Sequence, residues 1–151
     1  MIITFCGHSD FMKTTEYEQK MLVLLEEKVG DQKADFYLGG YGRFDSFAYD
    51  CCKKYQETHP SVSLVFVTPY LNRKSHNDPL EHKGKRYDAI LYPEIEDKPL
   101  KFAISHRNRW MVETADCVIC GINRGYGGAY KTYRHAKAKM KPVFNIVEKT
   151  L

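Results

Sequence analysis

Short apolar runs alternate with amphipathic segments along most of the chain, and this alternation limits the fold more than any single motif. The runs cover residues 2–6, 35–38, 62–67, 117–121 and 142–147. Between them, apolar side chains recur at helical spacings of three and four. These helical segments cover residues 17–28, 44–55, 102–114 and 129–139. Because alternating strands and helices form parallel sheets, we predict an α/β fold: a three-layer sandwich with a mostly parallel central sheet and helices on both faces.

Length and composition are those of one globular domain. The 151 residues suffice for a single domain, residues 1–151, that needs no disulfide to be stable. No apolar run approaches the ~18 residues of a membrane span, and the N-terminus lacks the basic segment of a signal peptide. The five cysteines are an odd number in mostly apolar segments, which is typical of reduced thiols. We therefore expect a cytoplasmic protein without membrane contact.

Residues 71–101 are the least regular part of the chain. They contain three prolines and one short apolar piece, residues 87–92, that is compatible with a strand. We expect an irregular insertion that is either functional or partly disordered. Two histidines and two acids lie in it without the helical spacing of a metal site. These are His76, Asp78, Glu81 and His82. We predict no metal and no cofactor.

Two glycine-rich turns each follow a predicted strand and precede a predicted helix. The first spans residues 38–45 and the second residues 123–129. A glycine turn lets the backbone approach a ligand closely, and the following helix directs unpaired N–H groups at an anion. Ligands of parallel sheets bind beyond the carboxyl ends of the strands, where residues 7–9 and Thr68 also fall. The pattern predicts a phosphate site at this edge of the sheet.

Several side chains near these turns suit a nucleotide, and each also has a purely structural interpretation. His8 and Ser9 can donate to a phosphate or form an ordinary turn. Asp45 can accept hydrogen bonds from ribose hydroxyls or cap the helix that follows it. Tyr41 and Tyr126 stand between glycines, where an aromatic ring can stack on a base or remain exposed on the surface.

A charged helical segment, residues 106–111, precedes the strand at 117–121. The guanidinium of Arg107 can bind a phosphate or ribose through two parallel hydrogen bonds, which a lysine cannot do. A salt-bridged surface helix is the alternative, and for Arg109 both interpretations stay open. Asp116 precedes a strand that we expect to be buried, and we interpret it as structural.

Two further patterns have structural interpretations that need no ligand. Cys117 and Cys120 have CxxC spacing, but in a strand they point to opposite faces, and no second pair completes a zinc site. The net charge of +4 suits an anionic ligand. The lysines between positions 131 and 141 match the solvated face of a helix. We therefore expect a small anionic ligand and do not expect nucleic acid as a partner.

Five segments match a known superfamily in order and spacing. They cover residues 5–9, 39–45, 107–116, 125–129 and 136–145, which together span nearly the whole chain. In these segments the chain resembles the SLOG superfamily of Rossmann-like domains, and most of all its YpsA-like branch. The resemblance implies a Rossmann-like fold that binds a nucleotide or nucleotide-derived ligand at the strand ends, with phosphate over the glycine turns. It also implies a homodimer.

The Lonely Guy phosphoribohydrolases of this superfamily carry an arginine–lysine pair before the fourth core strand. A glycine turn after that strand ends in threonine and, three residues later, glutamate. Arg107 matches the arginine, Asn108 replaces the lysine, and residues 125–127 match the turn. Gly128 stands in place of the threonine and Lys131 in place of the glutamate. A lysine opposes the positive charge that develops when an N-glycosidic bond breaks.

The substitution at Lys131 favours binding over catalysis. We expect a sensor, carrier or sequestering module for a nucleotide-derived small molecule. A nucleoside-monophosphate phosphoribohydrolase or related N-glycosidase, with Asp45 or Glu113 as its acid, is the alternative. An adaptor that acts through a protein partner is a further one. The predicted ligand-binding residues are Gly7, His8, Ser9, Gly39, Gly40, Tyr41, Gly42, Arg43, Asp45, Thr68, Arg107, Asn108, Gly125, Tyr126, Gly127, Gly128 and Lys131.

Overall fold

Strands and helices alternate through the chain in the computed structural model, which describes residues 1–71 and 78–147. In chain order the elements are β1 (Ile2–Gly7), α1 (Thr15–Val29), β2 (Ala34–Leu38), α2 (Gly42–Gln56), β3 (Val62–Val67), β4 (Glu81–His82), β5 (Lys85–Arg86), β6 (Ala89–Leu91), a 3-10 turn (Leu100–Phe102), α3 (Ala103–Thr114), β7 (Cys117–Gly121), α4 (Gly128–Ala138) and β8 (Val143–Asn145). The predicted elements are confirmed within a few residues at each end.

The central sheet has six strands in the order β6-β3-β2-β1-β7-β8, and all neighbouring pairs are parallel. The predicted three-layer α/β sandwich is therefore confirmed. From β1 the chain builds outward in one direction through β2, β3 and β6, and then returns to place β7 on the other side of β1. The point between β1 and β7 where the order reverses is where open parallel sheets bind their ligands.

Each strand of the sheet sends alternate side chains to two separate apolar layers. Phe36 and Leu38 of β2 pack with helices α1 and α2 on one face. Tyr37 lies between them in sequence and packs with Met111 of α3 on the other face. A parallel strand covered on both faces reads as an almost continuous apolar run, which is why β3 does not show a clear polar alternation.

Local backbone and side-chain contacts fix both ends of helix α1. The side chain of Thr14 accepts a hydrogen bond from the Tyr17 N–H at 3.1 Å and so caps the first turn. Gly30 ends the helix at φ 56°, a backbone conformation that glycine adopts at low cost. None of the helices in the described ranges is long and apolar enough to cross a membrane.

The ring of Phe44, at the start of α2, packs directly against the ends of β1 and β7. A Cβ atom added at Gly7 would lie 2.1 Å from this ring, and one added at Gly121 would lie 2.5 Å from it. Only glycine fits at either strand end, because a shorter contact than about 3 Å between carbon atoms is repulsive. These two glycines therefore allow the helix to approach the switch point of the sheet.

The described part of the insertion between β3 and α3, residues 78–101, contains three short strands, β4, β5 and β6. The predicted strand at 87–92 is present as β6, which pairs with β3. The antiparallel hairpin β4–β5 was not predicted, since its two-residue strands carry no apolar alternation. His82 of this hairpin stacks on Phe66 with a centroid distance of 4.1 Å. The insertion therefore covers the end of β3.

The cysteines behave as predicted within the sheet. All five are free and buried. Cys117 packs in the layer with α1 and α2, and Cys120 packs in the opposite layer, so the CxxC pair points to both faces of β7. Asp116 accepts a hydrogen bond from the Ile2 N–H at 2.7 Å, which confirms its structural role at the start of the sheet.

Candidate functional site

A cavity of about 360 Å³ lies at the carboxyl ends of β1 and β7, at the switch point of the sheet. We call it the switch-point cavity. The first turns of α2 and α4 and the middle of α3 form its walls. Its lining residues are Phe5, Cys6, Gly7, His8, Ser9, Tyr41, Gly42, Asp45, Ile104, Arg107, Asn108, Arg124, Gly127, Gly128, Ala129 and Thr132. The structure thus brings most of the predicted site residues together in one place.

The first glycine turn reaches this cavity only through Tyr41, Gly42 and Asp45. Gly39 is buried, and a Cβ atom there would lie 2.8 Å from a carboxylate oxygen of Asp45. Gly40 adopts φ 72° and is covered by the rings of Phe66 and His82. Both glycines are needed for packing, and neither lines the cavity.

Two other predicted residues lie outside the cavity. Thr68 is buried and bonds to the backbone of Tyr70, which closes the turn after β3. Arg43 lies on α2 and directs its guanidinium at the sulfur of Met12, 3.7 Å away. It lines a separate surface depression with Met12 and Asp50.

Arg107 is a buried anchor as well as a wall of the cavity. It is only 1% exposed. Its Nη1 donates to the carbonyl of Gly39 at 2.8 Å and to that of Val67 at 2.6 Å, and its Nε donates to Asn108 at 2.9 Å. The guanidinium therefore ties together the carboxyl ends of β2 and β3.

Asp45 stands at the first turn of α2 with its carboxylate turned back toward the cavity. One oxygen accepts the Tyr41 N–H at 2.9 Å, so Asp45 lies within α2 and binds backward to the residue before it; no side chain caps the helix itself. Burial raises the pKa of Asp45 to about 6, although the Arg107 guanidinium and the Tyr41 N–H both favour the carboxylate. This group is thus costly to ionise in the folded protein.

Two buried nitrogen atoms in the cavity wall have no partner among the described residues. They are Nε2 of His8 and Nε of Arg124. His8 is 3% exposed, and burial together with the Arg124 charge lowers its pKa, so its imidazole is neutral at pH 7. Buried polar groups are nearly always hydrogen-bonded, and an unpaired one costs about 1–3 kcal/mol. Both atoms can therefore donate to a polar group placed in the cavity.

Arg124 is the main site residue that the sequence interpretation missed. Its Nη1 donates to both carboxylate oxygens of Asp10, at 3.0 and 3.3 Å, which holds the guanidinium beside the cavity. The available signal was its position immediately before Gly125, within the second glycine turn. The sequence interpretation assigned ligand binding to the glycines of that turn, whereas Arg124 is the residue of the turn that carries a positive charge.

The first turn of α4 presents a positive end to the cavity. Gly127 precedes it at φ 94°, and no side chain caps it. No acidic residue stands in this turn, and Lys131 stands at its end. Because the first N–H groups of a helix are unpaired and carry a partial positive charge, this arrangement favours an anion.

A second and larger depression, about 930 Å³, runs between α3 and α4; we call it the α3–α4 groove. Arg109 of α3 and three cations of α4 line it. Those of α4 are Lys131, Arg134 and Lys137. His135 also lines it and pairs with Glu113 at 3.0 Å. The groove shares Gly127, Gly128 and Thr132 with the switch-point cavity, so the two are continuous.

The two candidate stacking tyrosines differ in exposure. Lys83 lies 4.4 Å from the ring centre of Tyr41 and Arg107 lies 5.6 Å from it, so this ring already has cations beside it. Tyr126 is 69% exposed and contacts the Arg124 guanidinium at 5.3 Å. Tyr126 and Gly125 line the α3–α4 groove.

The part of the chain that the structure describes contains no cluster of three or more metal-ligating side chains. His82 instead bonds to the Gly40 carbonyl at 3.0 Å and packs on Phe66. His76, considered with it in the sequence, lies outside the described residues.

Solved structures with the same fold include two DNA processing proteins. DNA processing protein A from Helicobacter pylori, described by its single-stranded DNA binding mode, is 20% identical with a TM-score of 0.67. The match covers 100% of this chain and 66% of that protein. DNA processing protein A from Streptococcus pneumoniae is 15% identical with a TM-score of 0.64, over 99% of this chain and 51% of that one.

A molybdenum cofactor binding protein from Rippkaea orientalis is 19% identical with a TM-score of 0.56, over 94% of this chain and 73% of that one. These neighbours have SLOG-type Rossmann-like folds, and this chain shares that fold, as its resemblance to the superfamily predicted. The chain thus spans about two thirds and about half of the two DNA processing proteins. No protein-family model and no curated protein matches the sequence.

The neighbours overturn the expectation that nucleic acid is not a partner. That expectation rested on assigning the lysines after position 130 to the solvated face of a helix. In the structure Lys131 and Lys137 line a groove that opens into the switch-point cavity, together with Arg109 and Arg134. The spacing of the lysines along α4 was visible in the sequence, but the position of α3 beside them was not.

Proposed function

We propose that the protein binds a nucleotide unit in the switch-point cavity, with its phosphate at the first turn of α4. The observation that carries this proposal is the pair of unpartnered buried nitrogens, Nε2 of His8 and Nε of Arg124, at an uncapped helix N-terminus. A phosphate has enough acceptor oxygens to satisfy both nitrogens and the backbone N–H groups of the helix at once.

The rest of the cavity suits a nucleoside. Its volume of about 360 Å³ is within the range of small-molecule sites. Ile104 and Tyr41 supply apolar surface for a base, and the Asp45 carboxylate is an acceptor for ribose hydroxyls. Arg107 lines the same space.

Binding without cleavage is the activity that the side chains favour. Lys131, which replaces the Lonely Guy glutamate, lines the α3–α4 groove and supplies no carboxylate to the cavity. Asp45 is the sole acid among the described lining residues, and its oxygen is held by the Tyr41 N–H. An N-glycosidase is the competing assignment, and release of ribose 5-phosphate from nucleoside monophosphates, lost in Asp45→Asn, would establish it.

Single-stranded nucleic acid is a second candidate ligand class. The α3–α4 groove carries four arginine and lysine side chains next to the cavity, and the Helicobacter pylori neighbour is described as binding single-stranded DNA. Phosphate contacts of this kind supply most of the affinity of non-specific nucleic acid binding. In that case the nucleotide in the switch-point cavity is one residue of a nucleic acid strand.

Calorimetric titration with AMP and with adenosine tests the proposal. We expect AMP to bind and adenosine to bind at least about tenfold more weakly, because the phosphate makes the charge-assisted contacts. Arg124→Met should weaken AMP binding by about tenfold or more, since it removes one charged donor.

Arg43→Met is the matched control, because Arg43 is an exposed arginine near the same edge that lies outside the cavity. It should bind AMP as the native protein does. Equal affinities for AMP and adenosine, or an equal loss in both arginine variants, would show that the phosphate does not bind at the first turn of α4.

A further inference from the structure

We propose that the α3–α4 groove carries a single nucleic acid strand whose terminal nucleotide occupies the switch-point cavity. This inference rests on the proposed nucleotide site and adds the class of ligand, the path of the strand and the recognition of its end.

The charge of the groove favours a ligand with several negative charges in a row. Arg109 from one wall and Lys131 and Lys137 from the other form no ion pair with an acid in the described parts of the chain. Glu113 of α3 pairs instead with His135 at 3.0 Å and with Lys139 at 3.6 Å. Three cations left without counter-ions along one groove favour a polyanion over a single phosphate.

Continuity with the cavity selects nucleic acid over an acidic protein. Gly127, Gly128 and Thr132 line both depressions, so a nucleotide held in the cavity has a direct path into the groove. Tyr126 stands at this junction and is 69% exposed, which provides an aromatic face for the next base. Cationic grooves with exposed aromatic rings are typical of single-strand binding.

The strand has one favourable exit from the cavity. Asp45 lines the wall contributed by α2, and Asp10 lies beyond Arg124 with a carboxylate that is 65% exposed. A strand that continued past these residues would bring its phosphates next to two carboxylates, of which Asp10 is paired with Arg124. On the side of the first glycine turn, His82 and Phe66 cover Gly40. The nucleotide in the cavity is therefore the end of a strand.

Competition between a linear and a covalently closed single-stranded DNA of the same length and sequence tests the recognition of an end. We expect the linear strand to bind at least about tenfold more tightly, because only it can place a terminal nucleotide in the cavity. Equal affinities of the two strands would overturn end recognition.

The groove is tested with the double variant Arg109→Gln, Lys137→Gln, which changes one cation on each wall. It should weaken binding of the linear strand, reduce the salt dependence by about one per lost phosphate contact, and leave AMP binding unchanged. Lys139→Gln is the control, since Lys139 directly follows α4, pairs with Glu113 and does not line the groove.

The outcomes separate the two proposals. If AMP binds and the double variant holds the linear strand as tightly as the native protein, the groove assignment is wrong while the nucleotide site stands. If AMP binds but linear DNA does not, the strand proposal is also overturned. If AMP itself does not bind, the nucleotide site fails first.

Discussion

Replacing Arg107 with methionine is expected to lower the free energy of unfolding by about 3–5 kcal/mol, because the change leaves buried partners of the guanidinium unpaired. The carbonyls of Gly39 and Val67 are at the ends of two neighbouring strands, and both accept from Arg107 Nη1. A methionine side chain fills much of the same volume but donates to neither carbonyl. Urea denaturation at pH 7 measures the loss.

Arg109→Met is the control for this prediction. Arg109 lies half a turn further along α3, is exposed and lines the α3–α4 groove. Its replacement should change the free energy of unfolding by less than about 0.5 kcal/mol, as is usual for surface sites. Equal and small effects at both positions would show that Arg107 does not hold the strand ends together.

Asp45→Asn is expected to stabilise the protein at pH 7, by about 3 kcal/mol. Burial raises the pKa of Asp45 to about 6 from a reference value of 3.8. Between about pH 4 and pH 6 the folded protein holds a proton that the unfolded chain has already lost, so this group makes stability fall as the pH rises through that interval. Asparagine carries no charge and can still accept the Tyr41 N–H.

The free energy of unfolding should therefore be measured from pH 4 to pH 7 in both proteins. The difference between Asp45→Asn and the native protein should be small at pH 4, grow up to about pH 6 and remain constant above it. A difference that is independent of pH, or a variant less stable at pH 7, would show that ionised Asp45 does not oppose folding. A carboxylate retained at such a cost beside a cavity is typical of a functional group.

The fold could be predicted from the sequence because its signals are local and agree with one another. The apolar runs of β1 and β3 and the capping residue Thr14 each specify their own element without help from distant residues. The hairpin β4–β5 was missed because it is held by pairing across a turn, with no apolar period in Glu81–His82 or Lys85–Arg86.

The position of the candidate cavity in the fold could be predicted from the sequence, but the full set of side chains that line it could not. The rule that ligands bind at strand ends located the cavity, since residues 7–9 and the second glycine turn meet there. The first glycine turn suggested an equal phosphate site, yet Gly39 and Gly40 are covered by side chains from the distant Phe66, His82 and Arg107. Such coverage depends on tertiary packing, and the motif alone does not report it.

Tertiary packing also decides which arginine side chains line the cavity. Arg124 enters the cavity because Asp10, from the turn after β1, holds its guanidinium. Arg43 is close to the first glycine turn in sequence but lies on the outer side of α2, beside Met12. Proximity in sequence to a glycine turn therefore says little about which arginine lines the cavity.

The most direct test of the nucleotide site is an amide NMR titration of the protein with AMP. The predicted result is a set of shifts centred on residues 7–9 and on residues 127–129 at the start of α4, because these backbone groups line the switch-point cavity. Shifts centred instead on the depression beside Thr14, Glu18 and Asp50, or the absence of any shift at millimolar AMP, would contradict the assignment of a nucleotide to this cavity.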